Sequence, residues 1–454
     1  MDKAVALPAL GRQRPAAGDA MTAAHSMERA PDPDSGSADA WCDLALARHL
    51  AGDSEGAVAA CRRSLALDPG HAAARLNLAC ILRELDRLEE AALQAEGVAD
   101  IARGAGDPAL LADARFNRAL ALLGLARRDQ ARIAEAWAEY DARLSLPPWR
   151  RFAPALRWSG DSLSGRRLVV RREQGIGDEL MFAACYPKLM RRTQGQDGGA
   201  VTIECDARLV APLGRSLPGM ALHPIDTVAG RAAAAAGLPP PAGAVRAPGD
   251  GLWVAAGSLP ALLGLPDIRT PDAPHEAPPL LTPLPEHAAR WRDRLASLPG
   301  RGPLVGLCWR TSLSTGRRDR LQASIDALAP LLALRDVRFV SLQIGASADE
   351  LAALAAHAGR PVADFPDLDL ANDLEQAMAL VAGLDLVVSV GAWIVPLAGA
   401  VGTRVCYLAA LRDYWTLGGD TIAWFGRTRV YPAGEAYAVA AAAVAADIAA
   451  ERRP

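Results

Sequence analysis

The chain has 454 residues, 51% apolar and 22% charged, with a net charge of −3. This is a globular composition, too long for one ordinary core, so two or three domains are expected and general nucleic-acid binding is not. The seven cysteines stand singly and the seven histidines show no metal spacing. Together with the absence of a signal-peptide pattern or a membrane-length apolar run, this reads as buried thiols in a reducing cytoplasm, with no metal and no membrane span.

Residues 1–37 are rich in Ala, Pro, Gly, Asp and Ser without apolar period, which predicts a disordered tail. From 38 to 146 the pattern is helical and repeating. Trp41, Leu44, Ala45, Gly52, Ala57, Leu65, Leu67 and Pro69 fall at the spacings of a tetratricopeptide repeat. Leu78, Ala79 and Ala91 repeat the small positions. Asn117, Ala119, Leu122 and Ala131 give a third copy, offset by an insertion around Ala105–Pro108. Such helix pairs bury their faces only by stacking, and their concave surface suits a protein or peptide partner. An ordinary helical bundle is the other reading.

Pro147-Pro148 breaks the helices, so a first α/β domain is expected over 147–270. Its opening stretch is a strand at Leu168-Val-Val170, a tight turn at Gln174-Gly-Ile-Gly177, and an amphipathic helix opened by Asp178. The turn is not a dinucleotide fingerprint, because Leu180 stands where the third glycine belongs. Asp178 and Glu179 also place negative charge where a phosphate would sit. Ala200–Glu204 and Gly251–Ala255 read as further strands.

Residues 271–300 read as a proline-stiffened linker, overlapping a proline-rich stretch over 265–285. A second α/β domain is expected over 301–454. Its strands are predicted at 304–309, 337–342, 384–390 and 405–408, with helices at 325–334, 374–382 and 435–452 and a helical turn at 396–402. The fold class is therefore α plus α/β: a repeat solenoid followed by two Rossmann-like halves. Ligands of such sheets sit at the carboxyl ends of the strands.

That rule assembles a candidate site. The first half would supply Gln174, Gly175, Gly177 and Asp178. The second would supply Trp309, Arg310, Arg318, Arg320 and Gln343, with backbone amides around Gly391 and Leu397-Ala398-Gly399. Arginines beside a helix N-terminus suit a diphosphate. The arginine run reads equally as a solvated loop, and Asp178 as a helix N-cap.

Taken in order, Trp158-x-Gly160, Glu173–Asp178, Ser258-Leu-Pro260, Val305–Trp309, Ser341–Gln343, Leu384–Ser389 and Leu397–Ala400 resemble a bacterial family. That family couples tetratricopeptide repeats to a GT-B glycosyltransferase domain similar to heptosyltransferases. The resemblance spans roughly 38–435. The layout is also similar to protein O-GlcNAc transferases and flagellin-modifying transferases. It implies a nucleotide-sugar donor, no cofactor or metal, a protein acceptor docked on the repeats, and Asp178 as general base. Asp367-Leu-Asp369 has the spacing of a metal-binding pair but sits in a proline-bounded loop.

The chain departs from the family pattern at one place. Many members carry Asp-Thr and then His before Leu-Ala-Gly-Ala. Here Gly391-Ala392 and Pro396 stand instead, while Trp309-Arg310, Arg318-Asp-Arg320 and Phe365-Pro-Asp-Leu-Asp369 resemble a subgroup that also lacks the histidine. The alternative function is a non-catalytic repeat scaffold with a degenerate transferase domain.

Overall fold

The computed structural model describes residues 36–127, 129–147, 149, 152–194, 199–225, 251–265, 279–311, 322–434 and 436–451. Most of the expected tail, most of the proline-rich stretch, and Arg318 and Arg320 fall outside these residues. The chain forms two compact units.

The first unit contains helices α1 (Ala38–Leu50), α2 (Ser54–Leu67), α3 (Ala72–Glu84), α4 (Leu88–Ala105), α5 (Pro108–Leu125) and α6 (Gln130–Tyr140). Aspartates start several of them. Asp53 accepts from Gly56 N, Asp107 from Ala109 N and Leu110 N, and Asp129 from Ala131 N and Arg132 N. These bonds satisfy amides that a helix start leaves unpaired. Ala45, Ala57, Ala60, Ala91 and Ala121 are buried together with Leu78, Ile81 and Leu82. The small residues bring the helices close, and the leucines and isoleucine fill the space between them. The expected insertion at 105–108 is a tight turn ending the long α4, with Gly106 at φ 64°.

Residues 411–419, distant in sequence, belong to this unit. Arg412 donates to Asp86 three times: its amide to Oδ1 at 3.0 Å, Nε to Oδ2 at 2.9 Å, and Nη2 to the carbonyl at 3.0 Å. Asp86 sits in the α3–α4 turn at φ 58°. Tyr414 lies 6.4 Å from Tyr140, centroid to centroid.

The second unit carries two parallel sheets. In the first, β1 (Leu168–Arg171), β2 (Val201–Asp206), β3 (Ala221–Ile225) and β4 (Leu252–Ala255) lie in the order β3-β2-β1-β4. Its helices are α7 (Ile176–Ala183), α8 (Tyr186–Gln194), α9 (Val210–Ser216) and α10 (Leu259–Leu263). After α11 (Pro285–Ala296), the second sheet has β5 (Leu304–Cys308), β6 (Arg338–Ser341), β7 (Leu386–Ser389), β8 (Arg404–Ala409) and β9 (Thr428–Pro432). They lie in the order β6-β5-β7-β8-β9. Its helices are α12 (Ala329–Leu332), α13 (Ala348–Ala358), α14 (Leu374–Ala382), α15 (Ile394–Ala400) and α16 (Tyr437–Glu451). β1, β4, β5 and β7 are buried along their whole length, which is why they read as unbroken apolar runs.

Several elements escape the sequence reading, among them α9, α10, α13, β3, β9 and α11. β3 and β9 are edge strands, and each carries a proline, Pro224 and Pro432, that blurs the strand signal. α11 lies inside the expected linker. Pro285 takes the first helical position, where proline is preorganised, and Trp291 and Leu295, four apart, form a buried stripe. No helix among the described residues is long and apolar enough to cross a membrane.

Candidate active site

The strand orders mark where a candidate site falls before any side chain is considered. In the first sheet the chain reverses direction between β1 and β4, and in the second between β5 and β7. Loops leaving the carboxyl ends at such reversals form the binding crevice of open α/β sheets.

At the first reversal, Gln174 is exposed and left-handed at φ 62°. Gly175 caps α7, so the helix starts at Ile176 and Asp178 is its third residue, not its first. Asp178 is partly exposed, and its Oδ2 accepts from Gly175 N at 3.3 Å. Glu173 is buried and its carboxylate accepts from Gly257 N, tying the β1 loop to the loop after β4.

Glu179 does not add charge at the helix start, contrary to the sequence reading. It is 1% exposed and points inward. Oε1 accepts from Asp206 N at 2.6 Å and Oε2 from Arg172 Nε at 2.6 Å. Burial pushes its pKa up to about 7, against the pull of Arg172. Asp206 in turn forks onto Arg208, at 2.8 Å to both Nε and Nη2.

The second reversal is organised by two side chains. Gln343 follows β6, and its Oε1 accepts from Trp309 N at 3.1 Å and Arg310 N at 2.9 Å. Glu350, in the first turn of α13, accepts from Trp309 Nε1 at 3.0 Å, Arg310 Nε at 2.7 Å and Ser347 N at 2.8 Å. Trp309 is buried in the core of the sheet. Gly391 lies in the loop after β7, where a Cβ would lie 3.1 Å from the Tyr407 hydroxyl. Leu397 and Ala398 are fully buried, and the Leu397 amide is spent on the Trp393 carbonyl. At Gly399 a Cβ would meet the Phe425 ring at 2.5 Å, so this glycine serves packing.

The two reversals meet through Gly177. A Cβ there would lie 3.3 Å from Pro396 Cγ and 3.4 Å from Trp393 Cα. The turn bearing Asp178 is therefore packed against the turn leaving β7. Two arginines of the first sheet's region also bind the second. Arg208 Nη1 donates to the Ala371 carbonyl at 2.5 Å, and Arg215 forks onto Glu375 at 2.9 and 2.7 Å.

The structure thus joins Gly175, Gly177 and Asp178 to the Gly391–Gly399 segment. It gathers Trp309, Arg310 and Gln343 into one cluster around Glu350. The Asp367-Leu-Asp369 carboxylates are both engaged. Asp367 forks onto Arg294, and Asp369 accepts from Ala371 N, Asn372 N and Asn372 Nδ2. Glu173, Glu179 and Glu350 were missed as organising groups. Of these, only Glu350 had a sequence signal: Ser347-x-x-Glu350 is a capping box.

This is the layout of a helical repeat region followed by two parallel α/β sheets. The tetratricopeptide repeat family profile matches residues 38–71. Protein FlbA of Caulobacter vibrioides is 32% identical over 395 residues, covering 86% of this chain. The chain spans 63% of the length of that relative. Among solved structures, a family 9 glycosyl transferase from Veillonella parvula is similar, with 10% identity and a TM-score of 0.44. The match covers 64% of this chain and 99% of that one. A mutant O-GlcNAc transferase from Thermobaculum terrenum is similar over 95% of this chain and 87% of its own, with 15% identity and a TM-score of 0.34.

Proposed function

We propose that the chain is a nucleotide-sugar-dependent glycosyltransferase acting in the cytoplasm, without a metal, on a protein acceptor docked by its repeats. Flagellin is one acceptor to test. The observation that carries this reading is the packing of the two reversal points through Gly177 and Pro396. It puts a partly exposed carboxylate, Asp178, beside the turn that leaves β7. In this reading Asp178 takes the acceptor hydroxyl proton. The hydroxyl oxygen forms the new bond to the sugar's anomeric carbon as the bond to the diphosphate breaks, and the nucleoside diphosphate leaves. Arg310, with Arg318 and Arg320, is assigned to the donor diphosphate.

A non-catalytic scaffold is the second reading. It is favoured by the Arg310–Glu350 pair, which already engages one edge of that guanidinium. The test is to heat the purified chain with a panel of nucleotide sugars and to assay transfer to protein. Stabilisation by one donor together with transfer supports the enzyme. A chain that no donor stabilises and that transfers nothing is the scaffold.

A further inference from the structure

We infer that Trp393 is a ligand contact, its indole forming the platform on which the donor's sugar ring lies. This rests on the transferase reading and adds to it a specificity-determining residue. Trp393 stands between the end of β7 and α15, as the residue that caps the helix. Its Cα and Cβ would lie 3.4 and 3.6 Å from a Cβ placed on Gly177, the residue before Asp178. These are ordinary contact distances, so the tryptophan's backbone borders the turn directly.

The indole is only partly buried. Its Nε1 has no hydrogen-bond partner among the described residues, and it is not among the polar atoms sealed from solvent. Other tryptophans of the same unit spend that donor on the protein. Trp158 donates to the Asp161 carbonyl at 2.7 Å, Trp253 to the Ala153 carbonyl at 2.9 Å, Trp291 to Gln376 at 2.8 Å and Trp309 to Glu350 at 3.0 Å. Those four are structural. Trp393 is a partly exposed tryptophan with an unspent donor, its backbone at the junction of the two reversals, and a large amphipathic ring suits a ligand that is partly apolar and partly polar. A sugar ring has both characters, with C–H faces and hydroxyl acceptors. The nucleobase is the less suitable occupant. In the proposed reaction the carbon undergoing transfer must lie near Asp178, and the base is a diphosphate further away.

The test measures binding to the full chain by calorimetry. The probes are UDP-N-acetylglucosamine, GDP-mannose and ADP-glucose, each beside its free diphosphate UDP, GDP or ADP. Trp393→Ala is expected to weaken the sugar nucleotide that the parent binds by roughly tenfold, the scale of an aromatic stacking contact. Trp393→Phe should keep most of the affinity, and the matching diphosphate should bind all three proteins equally. Equal weakening of both probes, or no change in either, overturns the inference while leaving the transferase reading standing. Should Trp393→Ala fail to fold, Trp393→Leu replaces it, and loss with Leu but not Phe remains the required outcome. A parent chain that binds none of the probes removes the transferase reading itself, and this inference with it.

Discussion

Arg310 and Glu350 form a forked ion pair, Nε to Oε1 at 2.7 Å and Nη2 to Oε2 at 3.0 Å. The fork fixes the guanidinium at the end of β5 and leaves Nη1 as the edge to offer a diphosphate. Arg310→Ala should weaken donor binding by about 1.5–3 kcal/mol if that edge makes a charged hydrogen bond. Arg310→Lys should recover only part of this, because the fork is lost. Calorimetry against the cognate donor checks both variants, and unchanged affinity in Arg310→Ala removes it from the donor site.

The same pair has a pH signature. Arg310 holds the Glu350 carboxyl down at about 2, well below its ordinary 4.5. A carboxyl lowered in the folded state stabilises above the unfolded value and loses that contribution as pH falls through the folded one. Glu350→Gln should therefore flatten the fall in stability between about pH 4.5 and 2. Urea titrations across that window show the change, and an unchanged slope would detach the pair from acid stability.

Glu179 carries the opposite sign. Burial raises its pKa from 4.5 to about 7. Between those values the folded chain holds a proton that the unfolded chain has lost, so its contribution to stability declines as pH rises from about 4.5 to 7. Glu179→Gln keeps an acceptor for Asp206 N and removes the titration. The variant should gain stability relative to the parent as pH rises through this window. Parallel curves from pH 5 to 8 would argue against it.

Asp178 is the residue on which activity is expected to depend. Asp178→Asn keeps an acceptor for the Gly175 amide while removing the base. Transfer should slow by at least about a hundredfold, the lower end of general-base contributions, with donor binding unchanged. A variant that transfers at the parental rate makes Asp178 a cap.

Gly418 tests the integrity of the helical unit. It sits at φ 67°, and a Cβ there would lie 2.3 Å from the Gly124 carbonyl oxygen. Gly418→Ala combines backbone strain with a clash against α5 and should cost more than about 1 kcal/mol. Hydrogen exchange in α5 should quicken. Unaltered exchange would show that residues 411–419 do not support that helix.

Much of the architecture was legible because it is encoded locally. The repeat spacing of small and large apolar residues over 38–146 depends on neighbours three and four apart, and it marks the helices of the first unit. The all-apolar runs at Leu168–Val170 and Leu384–Val390 mark strands buried on both faces. The turn Gln174–Gly177 is visible as glycines between a strand and a helix. What was not legible depends on partners far along the chain. Whether Asp178 or Glu179 faces outward is decided by Arg172 and by the Asp206 amide, which take Glu179 into the interior.

The sequence by itself determined the helical repeats, the alternation of strands and helices, and the choice of the Gly175–Asp178 turn as a candidate site. Periodicity and turn chemistry act within a few residues, so they can be read from the chain alone. The tertiary structure decided that Glu350, 40 residues away, engages Arg310. It also decided that Asp86 and Arg412 meet across 326 residues, and that Gly177 lies against Pro396. Each of these contacts exists only once the sheets and helices have brought distant side chains within a few ångströms, a distance that no local pattern specifies.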